Sequence, residues 1–231
     1  MPQAQYYTLI SSLPHLPHFE RAEHLPINEQ RLRQRFSMLE PAHAKIVNRL
    51  IEYLGWRFQP VERTDLDVVS HYRKIASYIS GEPVIMSLVE REMSDRTVIA
   101  ALRRRHRGLD KPDSNKPWGI GPWVKHIERN WDDADFKLRA VLPWISQAQS
   151  FVESGEALAL EKLLLDVTWK RTSAVSNSDP FGFEIFVAYL FKWSTVFFWL
   201  TYNRDKACKR FNQLVSEVTS EKEKVFDEAR K

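Results

Sequence analysis

The most apolar stretch of the chain lies in its last quarter, over residues 181–202. Pro180 precedes the stretch, at a position where a missing backbone N–H costs a helix nothing. Asn203 and Arg204 follow it and return the chain to water. Apolar side chains occur around the whole circumference, which is typical of a helix in a protein core or in a bilayer. The pattern therefore predicts one long helix over 180–202.

Two charged residues decide between those two environments. Lys192 lies at the middle of the stretch and Glu184 two turns before it. A lysine at the centre of a bilayer costs about 2.5–3.5 kcal/mol on insertion scales. We therefore predict the buried central helix of a water-soluble body, in which both charges find partners, because an unpaired buried charge is heavily penalised. The alternative is a membrane-inserted protein that uses this stretch as its span.

Apolar residues recur at intervals of three and four along most of the remaining chain, which predicts further helices. Residues 6–10 are the exception, since they are aromatic and β-branched and predict a short extended segment. Residues 169–179 are polar and rich in serine, which predicts a loop. The last predicted helix carries an apolar stripe of Phe211, Leu214, Val215 and Val218. In chain order the predicted helices are 28–37, 41–55, 64–81, 83–107, 124–129, 132–142, 143–154, one from 157 and one from 205.

The helix predicted over 83–107 has charges on its inward stripe. Steps of four and three from its start place Glu92, Arg96 and Arg103 in line with apolar residues. Glu92 and Arg96 have the spacing of an i,i+4 ion pair. Our hypothesis is that this pair meets Glu184 and Lys192 across a helix–helix interface and forms a network. The alternative is that Arg96 and Arg103 extend to solvent along their aliphatic stems.

Composition describes an ordinary globular chain of 231 residues, with 43% apolar residues, 28% charged residues and a net charge of +4. These values predict one large domain or two small ones. A loop over 109–122 is the best boundary between an N-terminal half, 1–108, and a C-terminal half, 123–231, although one continuous domain also fits. The single cysteine, Cys208, excludes an internal disulfide. Residues 1–14 lack a secretory signal pattern, so we expect a cytoplasmic protein.

The sequence contains no pattern that predicts catalytic, cofactor-binding or metal-ligating residues. His15, His18 and His24 lie in a proline-rich loop without a cysteine or aspartate cluster near them. The glycine-rich segment 118–123 lacks the third glycine and the Lys-Ser/Thr ending of a nucleotide loop. We expect a protein without enzymatic activity and without a cofactor.

The basic excess is concentrated in one cluster at the end of the helix predicted over 83–107. Arginines in the last turn compensate the helix dipole, and they can also bind phosphates or an acidic partner. A helical module that binds nucleic acid or protein through this cluster is therefore our alternative function, although contact with protein is favoured and no nucleic acid is expected. The arginines of the cluster are Arg103, Arg104, Arg105 and Arg107.

Several segments resemble one family. The most specific is residues 88–108, Leu-Val-Glu-Arg-Glu-Met-Ser-Asp-Arg-Thr-Val-Ile-Ala-Ala-Leu-Arg-Arg-Arg-His-Arg-Gly. Residues 6–14, Tyr-Tyr-Thr-Leu-Ile-Ser-Ser-Leu-Pro, and 130–136, Asn-Trp-Asp-Asp-Ala-Asp-Phe, support it, and weaker pieces lie at 155–165 and 189–192. Together they resemble a bacterial family of uncharacterised proteins that are encoded with V/A-type ATPases and are thought to stand in for the C subunit of those motors.

The resemblance implies an all-α, multi-helix bundle like that C subunit, without catalytic residues. It implies a place in the central rotor, where such a component couples the shaft to the membrane rotor ring for ion transport. The partners would be the other proteins of the ATPase, with peripheral contact at the inner face of the cell membrane.

Overall fold

The computed structural model describes residues 5–54, 62–175 and 180–202, and over these ranges every regular element is helical. The all-α prediction is therefore confirmed for the described part of the chain. Two short 3-10 helices, Phe19–Arg21 and Arg35–Met38, lie in the N-terminal quarter. The α-helices are α1 Tyr7–Ser11, α2 Glu29–Gln34, α3 Pro41–Leu54, α4 Asp65–Tyr78, α5 Pro83–His106, α6 Val124–Arg129, α7 Ile145–Glu153, α8 Ala157–Val175 and α9 Phe183–Tyr202.

Capping residues begin and end several helices where the sequence predicts. Asn28 caps α2 by accepting a hydrogen bond from the Arg31 backbone N–H at 2.9 Å. Thr64 and Asp67 form a capping box at the start of α4. Gly108, with φ +67°, ends α5 in the left-handed region that favours glycine.

The prediction of an extended segment at residues 6–10 is wrong, because residues 7–10 lie in α1 and Tyr6 is its N-cap. Tyr6 and Leu9 are buried on one side of the turn, as a helical spacing of three requires. The Ser12 hydroxyl donates to the Leu9 carbonyl oxygen at 2.7 Å at the end of the helix. Burial therefore overrides the β propensity of the segment.

The helix predicted over 132–142 is also wrong, since these residues form a series of turns. Phe136 and Leu138 are both fully buried although they lie two positions apart, which one face of a helix does not permit. Phe136 and Lys137 have φ of 53° and 58°. His126 on α6 contacts the Phe136 carbonyl oxygen through Nε2 at 2.9 Å and so holds the turn in place.

The helix α8 is longer than predicted, because it continues to Val175 through part of the predicted loop 169–179. The hydroxyls of Thr172 and Ser173 donate to the Thr168 and Trp169 carbonyl oxygens at 2.9 and 2.8 Å. Polar side chains that bond to the preceding turn in this way are compatible with a helix interior. The loop prediction is wrong for 169–175, and residues 176–179 lie outside the described ranges.

Two hydrophobic cores share α5. The first takes Ile85, Val89 and Met93 from α5, together with side chains from α1 to α4 and the first half of α9. The second takes Val98 and Leu102 from α5, together with side chains from α6, the 136–138 turn, α7 and α8. A helix of 24 residues is about 36 Å long, so α5 is long enough to contribute side chains to both cores. The division into halves at 109–122 stays a prediction.

Burial along α9 is uneven. Phe183, Phe186 and Val187 are buried in the first core, whereas Phe197 and Phe198 are half-buried. Trp193, Thr195 and Val196 are buried as well, so the predicted burial is confirmed for one side of the helix as far as Val196, and the last six residues are half-buried or exposed. Within the described ranges α9 is the one helix long and apolar enough to cross a membrane by length and composition. The helix predicted from Asp205 lies outside those ranges.

Candidate functional site

Five polar residues meet between α5 and α8, at the level where the first core gives way to the second. We call them the Asp95 cluster. Asp95 is 7% exposed and is one of six buried polar or charged side chains in the described part of the chain. The residues of the cluster are Glu92, Asp95 and Arg96 of α5 and Thr168 and Arg171 of α8.

Arg171 is the central cation of this cluster. Its Nη2 donates to Asp95 Oδ2, and its Nη1 lies 3.9 Å from Glu92 Oε2. Glu92 accepts two hydrogen bonds, from the Thr168 hydroxyl at 3.1 Å and from Arg96 Nε at 3.2 Å. The two acids and two bases cancel in charge, so the cluster ties the two helices together without adding a net buried charge.

Asp95 has an altered acidity. Burial raises the pKa of its carboxyl to about 6, and this effect outweighs the opposing effect of the Arg171 guanidinium. A raised carboxyl pKa is found in general acids and in structural ion pairs alike. Here the carboxylate accepts a hydrogen bond from Arg171 and is not part of the wall of the neighbouring cavity, and both facts favour a structural role.

The described contacts show one pair of the predicted network, and its connection to Glu184 and Lys192 stays a prediction. The ion pair between Glu92 and Arg96 is present. Glu184 is buried at the start of α9, where its carboxylate lies against Gly182, about two helical turns from Lys192. The Lys192 ammonium lies 5.5 Å from the centre of the Trp169 ring, and burial lowers the pKa of Lys192. The described partners of Glu92 thus come from α5 itself and α8, and Lys192 packs on α8.

The arginine cluster is divided between two uses. Arg104 Nε donates to the Asp110 carbonyl oxygen at 2.7 Å, and Arg105 Nη1 donates to the carbonyl oxygens of Asp133 and Ala134 at 2.9 and 2.6 Å. These two side chains hold neighbouring loops. Arg103 and Arg107 are exposed at the end of α5.

The glycine-rich segment 118–123 packs directly on α5. The Ile120 backbone N–H donates to the Thr97 hydroxyl at 2.9 Å. A Cβ at Gly121, whose φ is +95°, would lie 2.6 Å from the Ser94 side chain, and one at Gly119 would lie 2.4 Å from Thr97 Cγ2. The glycines are therefore needed for close approach to a helix, which accounts for them without a bound nucleotide.

A largely apolar cavity of about 200 Å³ lies beside the Asp95 cluster. We call it the α9 groove. Helices α2, α3, α5, α8 and α9 form its walls, and Glu92, Arg96 and Thr168 stand at its polar edge. Its apolar walls include Leu32, Leu50, Ile51, Leu190, Phe191 and Phe198.

The three loop histidines belong to no group of three or more metal-ligating side chains within residues 5–54, 62–175 and 180–202. His18 instead lies 3.6 Å from an Asp166 carboxylate oxygen on α8 and packs against the Phe19 and Trp169 rings.

Sequence reasoning missed Asp95 and Arg171, the two most closely joined charges of the site. One signal was available, because Glu92 and Asp95 are three residues apart and therefore share one side of α5. Arg171 lies in the stretch 169–179, whose composition predicts a loop, so the sequence does not place it on a helix beside α5.

Comparison with known proteins finds no matching family, no matching curated protein and no matching solved structure.

Proposed function

We propose that this protein is a non-catalytic component of a bacterial V/A-type rotary ATPase, similar to the C subunit, which couples the central shaft to the membrane rotor ring during ion transport. The proposal begins from the resemblance of residues 88–108 and 6–14 to the family encoded with those ATPases. In this role the protein lies in the cytoplasm at the inner face of the cell membrane.

The observation that carries the proposal is the mechanical connection between the two cores. Both α5 and α8 contribute to each core, since Leu160 of α8 is buried in the second core and Trp169 packs against the first. The Asp95 cluster joins the two helices at the middle of α5. A body that transmits torque must resist shear between its parts. Buried charge pairs with fixed geometry favour one register between two helices, as a polar residue does in a coiled coil.

The exposed arginines at the end of α5 supply a surface for a partner. Arg103 and Arg107 are free of the loop contacts that occupy Arg104 and Arg105, and they lie at the end of the helix that spans both cores. A basic surface of this kind can contact acidic residues of a shaft protein or anionic lipid headgroups.

Purification of the tagged chain from a bacterium that encodes it tests the proposal. We expect the A and B subunits of the ATPase to co-purify from the solubilised membrane fraction, identified by mass spectrometry. Recovery of the chain alone from the soluble fraction would overturn the proposal.

A charge-reversal variant refines this test. Arg103→Glu/Arg107→Glu should reduce recovery of the ATPase proteins, because it reverses the exposed basic surface. Lys45→Glu/Arg49→Glu, which makes the same change in charge on the exposed face of α3, is the matched control and should leave recovery unchanged.

The alternative of a nucleic-acid-binding module has less support, because two of the four arginines bind the protein's own backbone. It predicts affinity that falls steeply with salt concentration, which an RNA- or DNA-binding titration at two salt concentrations would detect.

A further inference from the structure

The net positive charge of the chain is concentrated in one stretch. Residues 103–139 contain ten lysines and arginines and six acids, which gives the stretch a net charge of +4. The whole chain also has a net charge of +4, so acids and bases balance over all its other residues. Four of the eight tryptophans lie within residues 118–144, and all four are half-buried against the second core. Cations beside partly exposed tryptophans are typical of protein surfaces that meet a membrane.

Two of these cations lie on the outward side of α6. Lys125 and Arg129 are exposed and four positions apart, so they are neighbours on the helix surface, on the side opposite the fully buried Ile127. Within the described part of the chain, neither side chain forms an ion pair or a hydrogen bond. Like charges at this spacing repel each other, so an anionic partner would stabilise them.

Trp118 lies beside these two cations. Its indole Nε1–H donates to Glu128 Oε1 at 2.7 Å. Glu128 is the one acid of α6, three positions after Lys125 and next to Arg129. The hydrogen bond directs this carboxylate towards the tryptophan, and it satisfies the polar end of the indole. We call Trp118, Lys125 and Arg129 the α6 face.

We propose that the α6 face binds the surface of a bilayer that contains anionic lipids. Lys125 and Arg129 contact headgroup phosphates, and the accessible part of the Trp118 ring lies at the level of the headgroups, where tryptophan is enriched. Pro117 and Pro122, which are both exposed, add apolar surface next to it.

This surface is separate from the exposed arginines at the end of α5. The inference adds to the proposed function a face that meets the membrane, but it does not rest on that function. Its charge and its tryptophan are properties of α6 and of the loop before it, whatever other proteins the chain assembles with.

A bilayer fits the α6 face better than a nucleic acid does. Single-stranded nucleic acids bind in positively charged grooves that follow several phosphates, and their bases stack on open aromatic faces. The α6 face is instead the outward side of a helix of six residues, and Trp118 is half-buried with its Nε1–H held by Glu128. Two cations one helical turn apart on such a surface suit phosphates that lie in a plane.

Co-sedimentation of the purified full chain with lipid vesicles tests the proposal. We expect the chain to sediment with vesicles of equal parts phosphatidylglycerol and phosphatidylcholine, and to stay in solution with vesicles of phosphatidylcholine alone. Raising the salt concentration should release the chain, because salt screens exposed charges. The assay contains no ATPase, so its failure is distinguishable from failure of the co-purification that tests the proposed function.

Substitution of the two cations locates the surface. Lys125→Gln/Arg129→Gln should weaken partitioning to the anionic vesicles by roughly 30-fold, since each cation near such a surface contributes roughly fivefold. Lys45→Gln/Arg49→Gln is the matched control, because it removes the same residue types at the same spacing from the exposed face of α3. The control should partition like the native sequence, and circular dichroism should show both variants folded.

Trp118→Phe tests the part of the tryptophan. This variant keeps an aromatic ring but loses the indole N–H, which frees Glu128 to pair with Lys125. We expect weaker partitioning to the anionic vesicles than for the native sequence, with a smaller loss than for Lys125→Gln/Arg129→Gln.

Three results would overturn the proposal. The first is equal sedimentation with anionic and neutral vesicles. The second is unchanged partitioning of Lys125→Gln/Arg129→Gln, which would place any membrane contact elsewhere. The third is binding to poly(U) RNA that is tighter than binding to the anionic vesicles and is lost in the same variant, because the α6 face would then belong to a nucleic acid.

Discussion

Two polar clusters connect distant parts of this chain in different ways. The Asp95 cluster joins α5 to α8 through buried charges. The second, which we call the His43 cluster, consists of Tyr6, His43, Glu82 and Phe183. In it the Tyr6 hydroxyl and His43 Nδ1 lie 2.5 Å apart, His43 Nε2 lies 3.3 Å from Glu82 Oε1, and the His43 ring stacks on Phe183 at 3.9 Å.

The difference lies in what remains when one member is removed. Loss of a charged partner from the Asp95 cluster leaves an opposite charge in a largely buried site. Loss of the Tyr6 hydroxyl from the His43 cluster removes an uncharged partner, and the aromatic stack that holds the segments together remains. Charges therefore make the α5–α8 connection more sensitive to substitution than the connection between α1, α3 and α9.

The largest expected effect is that of Arg171→Met. The substitution keeps the aliphatic stem but leaves Asp95 and Glu92 without their shared cation, so we expect the free energy of unfolding to fall by about 3–5 kcal/mol. Urea unfolding measures it. Lys170→Met, the neighbouring and exposed lysine of α8, is the control and should change stability by about 0.5 kcal/mol or less. A loss below about 1 kcal/mol for Arg171→Met would show that the cluster does not stabilise the contact between α5 and α8.

A pH effect of intermediate size is expected from Asp95. Its pKa is near 3.8 in the unfolded chain and about 6 in the folded chain. Between these values the folded chain binds more protons, so the contribution of Asp95 to stability falls as pH rises and is lost above about 6. The free energy of unfolding of the native sequence minus that of Asp95→Asn should decline by on the order of 2 kcal/mol between pH 4 and 6.5.

The control for this titration is the exposed Asp113. A backbone hydrogen bond from Asn115 lowers the pKa of Asp113, so its contribution is present above the unfolded pKa and is lost as pH falls. The difference between the native sequence and Asp113→Asn should therefore change with the opposite sign. A flat pH profile for Asp95→Asn relative to the native sequence would contradict the assignment.

A smaller effect is expected from Tyr6→Phe in the His43 cluster. The variant loses the contact with His43 and a hydrogen bond from the Glu40 backbone N–H at 3.3 Å, but keeps the ring in the first core. We expect a loss of about 1 kcal/mol in thermal or urea unfolding. Tyr7→Phe, which removes an exposed hydroxyl from the next residue, should have almost no effect. If Tyr6→Phe were as damaging as Arg171→Met, the contrast between the clusters would fail.

The smallest effect is expected from Lys192→Leu, which tests whether the Asp95 cluster extends to α9. The variant loses a cation–π contact with Trp169 worth about 0.5–1 kcal/mol and gains apolar contact in a half-buried position. We expect a net change below about 1 kcal/mol in urea unfolding. A network that included Lys192 would instead give a loss of about 3–5 kcal/mol, as for Arg171→Met.

Local signals made much of the helical framework predictable. Pro83 and Gly108 fix the limits of α5, and Asn28 and Thr64 fix the starts of α2 and α4, because the backbone at a helix end has specific requirements. The turn at Phe136 was not predictable in this way, since its positive φ is sustained by burial and by the contact from His126.

Less of the candidate site than of the helical framework could be predicted from the sequence. Glu92 and Arg96 were found because they lie four residues apart on one helix. Arg171, which pairs with Glu92 and Asp95, is 79 residues further along the chain than Glu92 and lies in a stretch whose serine and threonine residues resemble a loop. That stretch is helical because Trp169 packs against the first core and Thr172 is buried, while the Thr172 and Ser173 hydroxyls bond to carbonyl oxygens of the preceding turn.

The first core has a consequence for the synthesis of the chain. The Tyr6 backbone N–H donates to the Phe181 carbonyl oxygen at 2.8 Å, and residues from both ends of the described chain complete the same core. At translation rates of about 5–20 residues per second, roughly 5–20 s separate the emergence of Met93 from that of the last α9 residues of the core. During that interval Leu9, Ile85 and Val89 lack the α9 side chains that cover them in the folded chain, and exposed apolar surface of this kind is prone to aggregation until α9 emerges.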